Sequence, residues 1–124
     1  QEMRLAALIQ KPRAGVTSIT AQNVYDMATL GGAKALGLEN KIGSFDEGKK
    51  ADLIVLDLNK VHTIPADDIY SQIVYSARAS EVCDVMIDGQ WTVRDRKLQT
   101  INNENLKSAV WEEIGRLFDR RQHL

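Results

Sequence analysis

The apolar residues of this chain change their spacing at Ile42, and few folds accommodate such a change within one short chain. Before Ile42 the apolar positions recur every three or four residues, as in helices that bury one stripe; after it they run consecutively or alternate, as in strands. Leu5, Leu8 and Ile9, beside Ala6 and Ala7, predict a short amphipathic helix over 3–10. It should stop at Lys11-Pro12, because the residue before a proline avoids the helical region. Residues 12–20, with Gly15 and small polar side chains, read as a loop leading to an N-cap at Thr20 or Ser18. Val24, Met27, Ala28 and Leu30, then Ala33, Ala35 and Leu36, predict two short helices. Gly31-Gly32 would mark a break or a close-packing point between them, and Gly37 would cap the second.

Downstream, Gly43 and Gly48 bracket a polar turn before Leu53-Ile54-Val55-Leu56, a continuous apolar strand of the kind usually buried on both faces. Residues 59–68 form a loop containing Pro65, and Ile69, Tyr70, Ile73 and Val74 predict one or two helical turns before Ser76. Val82, Val85, Met86 and Ile87 lead into Asp88-Gly89 and then Trp91 and Val93, a β-hairpin closed by a tight primed turn. A third short strand is expected at 98–101, after a polar turn over 94–97. Leu106, Val110, Ile114, Leu117 and Phe118 form one helical stripe, capped at Asn102 or Asn103. Glu104 in its first turn and Arg120-Arg121 in its last match the helix dipole. Helices, then mostly strands, then a helix make an α+β fold.

Charge and composition narrow the function classes. Sixteen Lys and Arg against seventeen Asp and Glu give a net charge of −1, so no global positive field attracts nucleic acid or an anionic membrane. No apolar run approaches the roughly 18–20 residues of a membrane span, and Gln1-Glu2-Met3-Arg4 lacks the order of a signal peptide. The single Cys83 forms neither an internal disulfide nor a cysteine-based zinc site, which makes the cytoplasm the expected compartment. Because the chain begins at Gln1 with a helical pattern from its second residue, it is expected to be part of a longer protein.

Each chemistry-bearing pattern has a plainer structural reading. Gly43-Ser44-Phe45-Asp46-Glu47-Gly48-Lys49-Lys50 misses a phosphate-binding loop at the hydroxyl position that would ligate magnesium. Such a loop must also follow a strand and open a helix, and here Asp46 and Glu47 would repel the anion, so a structural turn is expected. His62 and His123, even with Asp67 and Asp68, do not supply the converging ligands of a metal site. Ser71, Ser76 and Ser80 have no histidine near them in sequence, and Cys83 reads as a packed strand residue. Trp91 and Trp111 sit on apolar patterns that suggest core or interface packing rather than ligand platforms. Arg78 either clamps a carboxylate or pairs with Asp84 or Glu81. No residue is therefore assigned a catalytic, cofactor-binding or metal-ligating role.

The run Met27-Ala28-Thr29-Leu30-Gly31-Gly32-Ala33-Lys34-Ala35-Leu36-Gly37-Leu38, followed by Ile42 to Asp57 (IGSFDEGKKADLIVLD), resembles the C-terminal part of the metal-dependent amidohydrolase superfamily. Ile73 to Val82 (IVYSARASEV) and Val85 to Trp91 (VMIDGQW) resemble one branch of it. That branch holds triazine chlorohydrolases and deaminases of 5-methylthioadenosine and S-adenosylhomocysteine. Glu2 to Leu8 is similar to the helix that there follows the last metal-binding aspartate.

The resemblance implies the tail of a (β/α)8 barrel enzyme with a small β-sandwich built from both chain ends. Residues 1–40 would be the last barrel helices, 41–101 the sandwich portion and 102–124 a C-terminal helix. A barrel takes roughly 250 residues, so the chain would be a fragment of it. The family's metal ligands and acid/base glutamate have no counterpart here, which leaves this chain without a cofactor of its own; zinc or iron is expected in the full-length enzyme. The implied parent activity is hydrolysis of a C–N or C–Cl bond of a nitrogen heterocycle, most of all purine deamination, by water that the metal activates. The expected partners are the missing barrel portion, or a second copy through self-association or strand exchange. A small heterocyclic substrate belongs only to the full-length form. An alternative is a non-catalytic self-associating or partner-binding module that lacks the active site.

Overall fold

Thr20 fixes where the second helix begins. Its Oγ1 accepts the Asn23 N–H at 3.1 Å while Asn23 Oδ1 accepts the Thr20 N–H at 3.1 Å, a reciprocal cap that satisfies two otherwise orphaned donors. The computed structural model describes residues 1–65 and 67–122. Before the cap, α1 (Glu2–Ala14) runs straight past Pro12, contrary to the expected stop at Lys11-Pro12. Pro12 lacks the N–H that would bond the Leu8 carbonyl, yet the helix continues past it and ends at Gly15, whose φ is 94° and whose N–H reaches the Lys11 carbonyl at 3.0 Å.

After the cap, α2 (Ala21–Asp26), a π-helical turn (Met27–Gly31) and α3 (Gly32–Ala35) form one unbroken helical run. Of the break or close packing expected at Gly31-Gly32, the break is absent, since both glycines keep right-handed helical angles, and the close approach is present at Gly31. The π-turn absorbs the irregularity: Thr29 Oγ1 donates to the Tyr25 carbonyl at 3.0 Å, and a Cβ on Gly31 would lie 3.2 Å from the Asp26 carbonyl oxygen. Gly37 ends the run as expected. At φ 67° it donates to the Lys34 carbonyl at 3.0 Å, and Leu38 donates to the Ala33 carbonyl at 2.8 Å.

The sheet is antiparallel in the order β1-β2-β3-β4, formed by Leu53–Leu56, Val82–Ile87, Gln90–Arg94 and Lys97–Leu98. Asp88 and Gly89 take φ of 51° and 78°, the paired positive angles of the expected primed turn. The third strand starts earlier than expected and is shorter. Asp95 and Arg96, at φ 49° and 63°, make a second tight turn alone, so Arg94 pairs with Lys97 instead of lying in the loop. Lys50 and Asp52 clasp the first hairpin, Lys50 Nζ lying 2.8 Å from Asp88 Oδ2 and Asp52 Oδ1 accepting the Asp88 N–H at 2.6 Å. β1 is an edge strand, and Ile54 is 57% exposed, so this chain does not bury it on both faces.

The core lies in the helical layer. Ala7, Ala21, Val24 and Val74 close on one another, with Met3, Ala6, Ile19, Tyr70 and Tyr75 around them. Val74 comes from a second π-turn (Gln72–Ser76) that follows α4 (Ile69–Ser71), matching the helical turns expected there. Val24 is 1% exposed, so Val24→Ala removes two buried methyl groups and should destabilise the chain by about 2 kcal/mol in urea denaturation. α5 (Asn103–Gln122) starts at Asn102, whose Oδ1 accepts from Glu104 and Asn105 at 2.9 and 3.1 Å. Helices and a four-stranded sheet together bear out the α+β expectation.

Candidate functional site

Glu81 is the one acidic side chain buried among the described residues, at 2% exposure. It closes a 3-10 turn (Ala79–Glu81) just before β2, and this turn points its carboxylate back along the chain. The carboxylate accepts the Arg78 N–H and, at 2.8 Å, the Ser80 hydroxyl, and His62 Nε2 lies 3.5 Å from Oε1. The Glu81 carbonyl accepts the Asp57 N–H at 2.8 Å. These bonds, the Ser80 hydroxyl foremost and then the Arg78 N–H and His62, hold the Glu81 carboxyl below the usual carboxylate range against the opposing effect of burial.

The loop that carries His62 is itself knitted by buried polar groups. Thr63 Oγ1 donates to the Lys60 carbonyl at 2.9 Å, and Gln72 Nε2 donates to the Thr63 carbonyl at 2.7 Å. Asp57 is held below its ordinary range by Lys60 first and by the Asn59 N–H and Arg96 as well.

Structure thus brings together residues that sequence kept apart. Ser80 and His62 meet on Glu81, although nothing in the local sequence joins them. The acid sits between hydroxyl and imidazole, whereas a nucleophilic relay needs the imidazole in the middle. This cluster is a latch, and sequence reasoning missed it because a buried glutamate carries no periodic signal. The Arg78 guanidinium takes neither expected partner among the described residues; its backbone N–H meets Glu81 instead. Asp68 caps α4 by accepting from Tyr70 and Ser71, and Asp67 is exposed. His123 lies outside the described residues.

The Gly43–Lys50 segment is a self-satisfied turn. Lys49 Nζ donates to Ser44 Oγ at 2.6 Å and lies 3.2 Å from Asp46, whose carboxyl is lowered by Ser44 first and by Lys49. A strand rather than a helix follows it. Cys83 Sγ lies 3.2 Å from Arg96 Nη2, and Trp91 packs under Arg94 at 4.8 Å, while Trp111 is 71% exposed and so lies outside this chain's core. Apolar depressions among the described residues include a groove between α1 and α2 lined by Glu2, Met3, Ala6, Val24, Met27 and Ala28, and one on the sheet lined by Asp52, Leu53, Ile54, Val85, Met86 and Ile87. Neither gathers the convergent polar groups of a ligand site.

A family model described as the amidohydrolase family matches residues 1–92. The chain belongs to the amidohydrolase family. It is similar to the 5-methylthioadenosine/S-adenosylhomocysteine deaminase of Acetivibrio thermocellus, at 46% identity over 118 residues, covering 94% of this chain and 27% of that protein. It is also similar to an S-triazine hydrolase of Gordonia rubripertincta, at 35% identity over 92% of this chain and 24% of the relative. Among solved structures, an adenosine deaminase from Xanthomonas campestris with bound zinc superposes with a TM-score of 0.84 and 35% identity, covering 99% of this chain and 27% of that one.

This amidohydrolase chain therefore spans about a quarter of the length of the relatives it matches. Its own residues do not fit the zinc named with the Xanthomonas campestris structure: among the described residues no three His, Cys, Asp or Glu side chains converge on a common point. No helix among them is long and apolar enough to cross a membrane.

Proposed function

We propose that this chain is the C-terminal structural portion of a cytoplasmic amidohydrolase that hydrolyses an exocyclic C–N bond of a purine-type heterocycle, or the C–Cl bond of a triazine. Residues 1–40 supply the closing helices of its barrel, 41–101 a share of its sandwich and 102–124 a terminal helix. The divalent metal, zinc or iron, and the groups that handle the substrate belong to the rest of that protein. The reading rests above all on the superposition at 0.84 over 99% of this chain and only 27% of a zinc-bound adenosine deaminase. The named relatives are enzymes, and they lend no support to a non-catalytic module.

Within that protein the contribution of these residues is mechanical. Gly43 lets the chain leave α3 and cross toward the sheet, the Lys50–Asp52 clasp sets the hairpin, and Glu81 ties the loop after β1 to the start of β2. Ammonia release from 5-methylthioadenosine and zinc content separate the outcomes. The 124-residue chain alone should show neither, and the longer polypeptide containing it should show both. Stoichiometric zinc with turnover in the short chain would overturn the reading.

A further inference from the structure

Asp88-Gly89 is the single Asp-Gly pair of the chain, which has no Asn-Gly pair. Both residues are exposed at the tip of the first hairpin, and a Cβ built on Gly89 would meet nothing within 4 Å. An aspartyl carboxyl carbon lies at the right distance along its own side chain to close a five-membered ring on the next backbone nitrogen. A glycine there offers no side chain to obstruct the approach. Three consecutive residues opposite the turn hold the atoms concerned. Lys50 Nζ lies 2.8 Å from Asp88 Oδ2, the Ala51 carbonyl accepts the Gly89 N–H at 3.1 Å, and Asp52 Oδ1 accepts the Asp88 N–H at 2.6 Å. The first tie draws the carboxylate toward Lys50, the second occupies the Gly89 N–H, and the third steadies Asp88 at its positive φ of 51°.

We propose that Asp88-Gly89 is a site of isoaspartate formation and that the segment 50–52 guards it. In this reaction the Gly89 nitrogen attacks Asp88 Cγ of the neutral carboxyl. An N–Cγ bond forms, a Cγ–O bond breaks, and the hydroxyl departs as water with the Gly89 proton. Water then opens the succinimide ring. Cleavage of the new N–Cγ bond restores aspartate. Cleavage of the bond from that nitrogen to the Asp88 main-chain carbonyl carbon leaves the chain running through Cβ and Cγ, with a free α-carboxylate. The product carries one more methylene in the main chain of a two-residue turn, so Ile87 no longer faces Gln90, nor Met86 Trp91, in the present register. Ring closure must first release the carboxylate from Lys50 and the Gly89 N–H from the Ala51 carbonyl, so modification runs through local opening of the hairpin. The inference rests on this turn and does not depend on the proposed catalytic role of the longer protein.

The whole chain is held at mildly acidic pH, in native buffer and in urea. The tryptic peptide 79–94 is then resolved by chromatography into aspartyl and isoaspartyl forms, with the position fixed by electron-transfer fragmentation. The native parent should accumulate isoaspartate at Asp88 roughly tenfold more slowly than the unfolded chain, or slower still. Lys50→Met should raise the native rate by about two- to fivefold, as loss of an exposed ion pair allows, and Lys50→Arg should keep it at the parent level. Asp52→Ala, which removes a different tie, should raise it by a similar factor. In urea all four chains should react alike, which separates loss of the guard from altered reactivity of the pair itself, and circular dichroism shows that each variant is folded in native buffer. A native parent that reacts as fast as the unfolded chain would overturn the guard. So would native rates unchanged in both Lys50→Met and Asp52→Ala. Isoaspartate that forms at Asp84 instead, or at neither position in urea, would overturn the site.

Discussion

Gly43→Ala is expected to destabilise the chain by about 2–5 kcal/mol, the largest effect of any single methyl group added here. Two costs combine at this position. At φ 92° the backbone is left-handed, a region that an L side chain enters at about 1–2 kcal/mol. The added Cβ would also lie 2.8 Å from the Ala33 Cβ, 3.1 Å from the Thr29 carbonyl oxygen and 3.3 Å from the Leu30 Cα. Backbone atoms of a packed helix have little room to retreat, so this overpacking adds about 1–3 kcal/mol. Gly48→Ala isolates the first cost, because Gly48 has φ 87° and open space around it. In urea titrations followed by circular dichroism, Gly43→Ala should lose about twice as much stability as Gly48→Ala or more. Equal losses would show that the crossing does not press on the helix.

Glu81 should govern how the chain responds to acid. Its carboxyl is held below the ordinary value of 4.5 by Ser80, the Arg78 N–H and His62, so folding favours the ionised form. The stabilisation is complete above about pH 4.5 and is lost as the pH falls through the lowered folded-state value. Glu81→Gln keeps the shape and removes the charge. Thermal melts between pH 3 and 7 should show the difference between the parent and this variant shrinking toward acid pH. Glu81→Ala should lower the midpoint at pH 7 further, by roughly 5–10 °C, because it leaves the Arg78 N–H and the Ser80 hydroxyl without their acceptor. A parent and Glu81→Gln difference that stays constant across this range would remove Glu81 from the acid response.

Where a backbone conformation has one cheap chemical solution, the fold was legible. Thr20 with Asn23, Gly37, Asp88-Gly89 and Asn102 each state a local geometry that neighbouring residues do not override. Pro12, and the break expected as one reading of Gly31-Gly32, misled for the opposite reason, since their local cost is met by packing: α1 is held by Ala7 in the core, and the helix beyond Asp26 by Ala33 under Gly43. Leu53 to Leu56 carry apolar side chains on both faces, as they would for a covered strand, yet Ile54 and Val55 are exposed in this chain. The site was least legible, because His62, Ser80 and Glu81 meet only after the loop following β1 folds back.

Val74 reaches the core from the segment between β1 and β2, and there it touches the two helices that open the chain. The two strands paired at the sheet's edge are thereby the ends of a long excursion whose middle is anchored in the other layer. Closing that excursion brings a loop-entropy penalty that neither layer offsets alone, so the helices and the sheet should acquire order together. Hydrogen exchange should accordingly report one opening event shared by amides near Val24 and Val85, and a nick placed between residues 40 and 41 should leave two pieces that remain associated.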